Sequence, residues 1–240
     1  MAARRSARRP PLGRLLLLAL SALLVLQLYF ALRIALWSVL PVSDTAFMRA
    51  SMLRMLHGRE TVQWHHDWIS YEALGPWIKR AVVASEDATF LHNPGVDWQA
   101  LRQAWIRDHT RRVERDHRIV GGSTITQQLA KNLFLSPERS YLRKGQELAI
   151  TGMLELLLDK RRILQMYLNS VEWGDGMYGA QAAAWQYFHL PAARLSPLQA
   201  ARLAVMLPAP RFFQHHLYGP YIDRRSYTIA ARARDAQIPR

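Results

Sequence analysis

The chain has 240 residues, 50% of them hydrophobic, and a formal charge of +14 that comes mainly from arginines scattered along its length. That length suits one substantial domain with an appendage, and the positive balance points to anionic partners such as phosphates, lipid headgroups or nucleic acid. There is no cysteine, which excludes a disulfide framework, a thiolate nucleophile and a cysteine zinc site.

From Leu15 to Leu32 the sequence LLLLALSALLVLQLYFAL carries no charge, and Arg33 separates it from a second apolar run, IALWSVL. Together they are long enough to cross a bilayer, so residues 15–40 are expected to form a transmembrane helix. Arg4, Arg5, Arg8, Arg9 and Arg14 precede it, and the positive-inside bias places this tail, residues 1–14, in the cytoplasm with everything after about residue 40 on the other side. A cleaved signal peptide is the competing reading, although its apolar region would span only about 7 to 15 residues. Residues 41–64 read as a juxtamembrane connection with a short helix near Thr45 to Leu56, and residues 65–240 as the main domain.

Helical periodicity dominates from Leu74 onward, with few alternating strand-like runs, so the domain is expected to be mostly α-helical. In STITQQLAKNLFL, Ile125, Leu129 and Leu133 recur every fourth residue. Thr124 and Gln127 have the spacing of a capping box behind Gly121 and Gly122, so a glycine turn should feed a helix start able to bind an anion or simply to cap itself. A long helix is expected from about Tyr141 to Leu168, with Gly145 and Gly152 as its weak points. Another should run from about Pro197 to Met206 and stop at LPAP.

Two stretches hold carboxylates of interest. Glu86 and Asp87 are adjacent in ASEDATFLHNPG, where they are either a helix-end charge pair or include a catalytic base. In RKGQE, Glu147 follows Arg143 by four residues and Lys144 by three. An ordinary surface pair of this kind contributes only about 0.3 to 0.5 kcal/mol; a functional one would keep its carboxylate ionised while the cations hold a phosphate. The doublets His65-His66 and His215-His216 lack metal-binding helical spacing, and no Ser-x-x-Lys acylation motif occurs.

The ordered blocks AVVASEDATF, GGSTITQQLAKNLF, RKGQE, RRILQMYLN with GDGMYGAQAAAWQYF, and LQAARLAVMLPAP resemble the peptidoglycan glycosyltransferases, over roughly Ile69 to Phe213. That family includes the glycosyltransferase domains of class A penicillin-binding proteins and the monofunctional biosynthetic transglycosylases; the short chain favours the latter. The resemblance implies a lysozyme-like helical fold on the outer face of the bacterial inner membrane, polymerising lipid II. It implies Glu86 as the catalytic glutamate and Glu147 as the second essential one. Lys131, Arg139, Arg143, Lys144 and, more weakly, Arg102 fall on basic positions near the lipid diphosphate. Ser123, Thr124, Gln127, Gln128 and Asn132 would line the cleft, with Asp87 in support.

The first block of the family usually reads E-D-x-x-F-x-x-H-x-G. Here Asn93 holds the eighth position and His92 stands one place earlier; Gln165 replaces a common glutamate in the fourth block. None of these three is assigned a catalytic role.

The chemistry accounts for the residue types. A diphosphate leaves as an anion and needs nearby cations rather than a proton donor, whereas a glycosidase normally needs a protonated acid. Glu86 would take the proton from the acceptor hydroxyl, and Glu147 would position the cations, or a divalent ion such as Mg²⁺, at the diphosphate. Expected partners are lipid II, the growing glycan, membrane lipid and division or wall-synthesis proteins. A lytic transglycosylase or muramidase is the rival enzyme, and a non-catalytic scaffold the rival from another class; nucleic-acid binding explains the charge alone.

Overall fold

The computed structural model describes residues 12–58, 64–98, 102, 123–138 and 140–240. The apolar amino-terminal run forms α1 (Leu12–Trp37), a helix long and apolar enough to cross a membrane. It begins three residues earlier than hydropathy marks, because a helix can carry a charge such as Arg14 in its first turn. From Leu12 to Leu26 every side chain is exposed, as suits a segment solvated by lipid.

The last turns of α1 behave differently. Phe30, Ile34 and Trp37, spaced to share one face, are buried, and Phe30 and Trp37 pack on Phe134 with ring centroids 4.9 and 5.3 Å away. Gln27 and Gln146 exchange two side-chain hydrogen bonds of 3.1 and 3.0 Å. Arg162 donates from Nε to the Trp37 carbonyl at 2.8 Å and from Nη2 to that of Leu40, which satisfies acceptors that a helix end leaves open. The apolar helix α1 therefore docks directly on the domain.

Thr45 caps α2 (Ala46–His57) by accepting from the Met48 N–H at 3.1 Å, as expected for the connection. A small sheet follows in which β1 (His65–His66) pairs in parallel with β3 (Met177–Tyr178), itself antiparallel to β2 (Glu172–Gly174). Gly75 opens α3 (Pro76–Glu86) at φ 71°, where a Cβ would lie 2.7 Å from Ala193 Cα.

The helix α4 (Ile125–Phe134) starts at the expected capping box. The long helix expected over 141–168 is instead two, α5 (Tyr141–Leu157) and α6 (Lys160–Ser170). Its glycines do not break it. The break falls at Leu158, which is extended, and Asp159, whose side chain accepts from the Arg162 N–H at 2.7 Å. Aspartate competes for backbone donors and so starts a helix better than it continues one. The apolar spacing runs through the break because both helices face the same core.

After α7 (Ala180–Phe188), α8 spans Pro197–Met206 as the sequence predicts, and Pro210 opens the short α9 (Pro210–Phe213) before α10 (Pro220–Asp235). Helices α3, α8 and α10 pack together on one side, while α4 packs on α5 and α6 on the other, with α2 against α4. Tyr167, Trp173, Tyr178 and Phe90 are among the fully buried residues between them.

The dock between α1 and α4 is tested by a double-mutant cycle. Phe30→Ala and Phe134→Ala should each lower the thermal midpoint of the full chain in detergent, and together by less than their sum. The expected coupling is about 0.5 to 1.5 kcal/mol, as for a close aromatic pair; strict additivity would mean that the two rings do not interact.

Candidate active site

Buried Ile78, Ala81, Val82 and Val83 seat α3 in the core, and the helix ends at Glu86. The Glu86 carboxylate is thereby delivered to the place where α3, α4 and α6 converge. Ser85 Oγ donates to its Oε1 at 3.1 Å, and Gln128 Nε2 from α4 donates to its Oε2 at 3.0 Å. Behind Gln128, the Tyr167 hydroxyl on α6 donates to Oε1 of the amide at 2.8 Å. Burial pushes the Glu86 carboxyl above the usual range, against the Gln128 and Ser85 hydrogen bonds and the Arg225 charge, which pull it down, while Asp87 adds to the rise. Among the described residues only neutral donors hydrogen-bond to the carboxylate, which leaves it a competent proton acceptor.

Asp87 has a different task. Its Oδ2 accepts from the Ile125 N–H at 3.1 Å, the first helical amide of α4, while Oδ1 accepts from Asn93 Nδ2 at 2.8 Å and Thr89 Oγ1 at 3.2 Å. A carboxylate at a helix amino terminus satisfies an orphan donor and meets the positive end of the dipole. Burial raises the Asp87 pKa, opposed by Asn93, Ile125, Thr89 and Lys160. Every described contact of Asp87 is structural.

The shifted histidine is explained by the same network. Asn93, not His92, is buried against Asp87, and its Oδ1 accepts from the Gly95 N–H at 3.0 Å. Gly95 has φ 85°, and a Cβ there would lie 2.6 Å from Glu155 Cγ, so the turn is closely fitted. Lys160 Nζ ties it to the rest, donating at 2.8 Å to both the Asn93 carbonyl and Glu155. Gln165 bonds to Arg162 and to the Ile69 carbonyl, an ordinary packing role.

Thr124 and Gln127 form the capping box at the start of α4. The Thr124 hydroxyl accepts from the Gln127 N–H at 3.1 Å and donates to the Gly95 carbonyl at 2.5 Å, while Gln127 Oε1 accepts from the Thr124 N–H at 3.1 Å. Both are buried, as is Asn132; capping has engaged Thr124 and Gln127 in holding α4 to the Gly95 turn. Ser123, Gln128 and Lys131 are half-buried, and Lys131 lies one helical turn beyond Gln128 on the same face. Its Nζ sits 5.5 Å from the Phe47 ring centroid. Arg102 is exposed. Gly121, Gly122 and Arg139 lie outside the described residues.

Glu147 is no surface residue. It is 3% exposed, and its oxygens accept from Arg143 Nη1 at 2.8 Å and from Lys144 Nζ. Breaking such a buried pair from one side typically costs about 3 to 5 kcal/mol, so Glu147 holds both cations firmly in place. A divalent ion would have to displace a guanidinium or an ammonium to reach this carboxylate. Among the described residues no three His, Asp or Glu side chains cluster, and the donor set fits an anion site lined by cations better than a metal centre.

Sequence inspection missed Tyr167, Ser85 and Arg225. Tyr167 was hidden because its neighbours Ile163, Leu164 and Met166 are wholly buried, so its ring reads as core and its hydroxyl goes unnoticed.

Fold and site together define an α-helical enzyme domain whose Glu86 carboxylate is held by neutral donors, docked on a helix able to cross a membrane. Sequence comparison is more particular: the profile described as Transglycosylase matches residues 54–234, and the chain belongs to that family. A protein of Burkholderia pseudomallei named biosynthetic peptidoglycan transglycosylase is 53% identical over 219 residues, which covers 91% of this chain and 84% of its own. Proteins of the same name from Burkholderia thailandensis and Paraburkholderia xenovorans are 53% and 48% identical, again over 91% of this chain and over 84% and 89% of theirs.

The contrast between the two adjacent carboxylates can be measured. Asp87→Ala strands the Ile125 N–H and should destabilise the fold by about 1 to 3 kcal/mol in chemical denaturation. Glu86→Gln replaces a desolvated charge by a neutral isostere and should leave stability unchanged or slightly raised. Equal losses in both variants would contradict this division.

Proposed function

We propose that this chain is a peptidoglycan glycan polymerase that elongates β-1,4-linked strands from lipid II and releases polyprenyl diphosphate with inversion. Family membership supports the transglycosylase activity. The observation that carries the finer reading is the separation of Glu86, a carboxylate held by neutral donors, from a fixed cation pair, Arg143 and Lys144, clamped by buried Glu147.

In the proposed step the 4-hydroxyl oxygen of the acceptor attacks C1 of the growing strand. Glu86 takes the hydroxyl proton as the O4–C1 bond forms, and the C1–O bond to the diphosphate breaks with its electron pair leaving on oxygen. Direct displacement from an α-linked diphosphate gives the β bond. Lys131, Arg143 and Lys144 stabilise the departing charge, with α4 packed on α5. Asp87 takes no part, because its oxygens are engaged in joining α3 to α4. No divalent ion is given a role in this step.

A lytic transglycosylase would use Glu86 as a proton donor, and its raised pKa suits that as well. The clamped cations favour the biosynthetic direction, since a sugar leaving group makes no use of them. In this reading the tail before α1 is cytoplasmic, α1 spans the inner membrane once, residues 41–64 connect, and residues 65–240 work in the periplasm where the lipid-linked substrate is presented.

The deciding experiment follows labelled lipid II with the purified full chain, alongside preformed sacculi. Long glycan from lipid II and no soluble muropeptide from sacculi is the expected result. Glu86→Gln should reduce polymerisation by about 10² to 10⁴-fold, the usual worth of a general base, and near wild-type rates in that variant would remove Glu86 from the role. Because an acid loses its base form as pH falls, the activity of the wild-type chain should decline on acidification at a pH above the ordinary glutamate value of about 4.3.

A further inference from the structure

We propose that Tyr167 is a positioning residue for the reaction, whose hydroxyl holds the Gln128 amide in the one orientation that presents an N–H to Glu86. The inference rests on Glu86 being the base. It starts from a chain of three groups on three helices, in which Tyr167 Oη lies 2.8 Å from Gln128 Oε1 and Gln128 Nε2 lies 3.0 Å from Glu86 Oε2.

An amide can point either way, and its neighbours decide. An ionised carboxylate only accepts, so it requires the NH₂ end and turns the amide oxygen toward Tyr167. Flipping the amide would set its oxygen against the carboxylate and leave the phenolic proton without its acceptor. Tyr167 is fully buried, where a stranded hydroxyl costs free energy that an exposed one would recover from water. Burial, and the nearby negative charges of Glu86 and Asp87, push its own pKa far up, so the proton stays available to donate.

The amide orientation is thereby tied to the ionised form of Glu86. Among the described residues, the other groups facing that carboxylate are Ser85 and Asp87 beside it and Arg225 from α10; Asp87 in turn feels Lys160 from α6. None of them touches the Gln128 oxygen. Phenylalanine at 167 would remove the donor, free the amide to flip and weaken the hydrogen bond that favours the ionised base. The sign follows: losing a bond that lowers the Glu86 pKa raises it further, so the base needs a higher pH to ionise.

The test is the pH dependence of lipid II polymerisation by the full chain. Tyr167→Phe should lower kcat by about 10-fold and move the acid limb of kcat/KM up by about half to one pH unit, with KM little changed. Gln128→Leu should do the same, and Tyr167→Phe should add nothing in the Gln128→Leu background. A direct titration of the Glu86 carboxyl by infrared difference spectroscopy, with Glu86→Gln as blank, reads the same shift without turnover. An unmoved acid limb and carboxyl titration in Tyr167→Phe, or losses that add in the double variant, overturn the proposal. Failure of the base assignment looks different: Glu86→Gln would then stay active, whatever Tyr167→Phe does.

Discussion

A single hydrogen bond from the Ile125 N–H to the Asp87 carboxylate, 3.1 Å long, joins the end of α3 to the start of α4. The neighbouring residue on one side is Glu86, and one turn along the other helix is Gln128. Their meeting is steadied by that joint together with the Thr124 bond to the Gly95 carbonyl. The rest of the local network, from Asn93 through Lys160 to Glu155 and Thr126, braces the same corner.

Two carboxylates adjacent in sequence are thus separated in chemistry by the direction in which each leaves the helix end. Asp87 turns toward a helix amino terminus, where the dipole and backbone donors favour its charge. Glu86 turns into a desolvated position, where little beyond an amide and a hydroxyl receives it. Glu147 is a third solution, a buried carboxylate paired with two cations and serving to aim them. The same functional group becomes strut, base or clamp according to its surroundings.

Much of this was legible in the sequence where the signal is local. The Thr124 and Gln127 capping box and the helix from Pro197 to Met206 follow from residues a few positions apart, and both are present. What escaped depends on facing inward. The break at Leu158 and Asp159 was masked by apolar spacing that serves two helices at once. The same box that marked α4 also engages the Thr124 hydroxyl, and nothing in the string of letters says that this hydroxyl reaches the Gly95 turn. Asn93 could be identified as a departure from the family pattern but not as the partner of Asp87, since that contact needs the turn to fold back. Tyr167 lay in an apolar run where only three dimensions show the hydroxyl a purpose.

The paired amides of Gln27 and Gln146 carry a geometric consequence. Between Arg14 and Gln27 lie the residues Leu15 to Leu26, which rise only about 18 Å in a helix, against a hydrocarbon layer about 30 Å thick. Where α1 crosses a bilayer, its first contact with the domain therefore falls within the oily layer and not at its surface. That is where two amides must satisfy each other, since no water is present to do so. The nearly bare Tyr141 and Leu142 at the start of α5 would then have lipid as a ready solvent. With α1 in a bilayer, the catalytic body would be a partly submerged object, its waterline a few residues from the clamp that holds its cations.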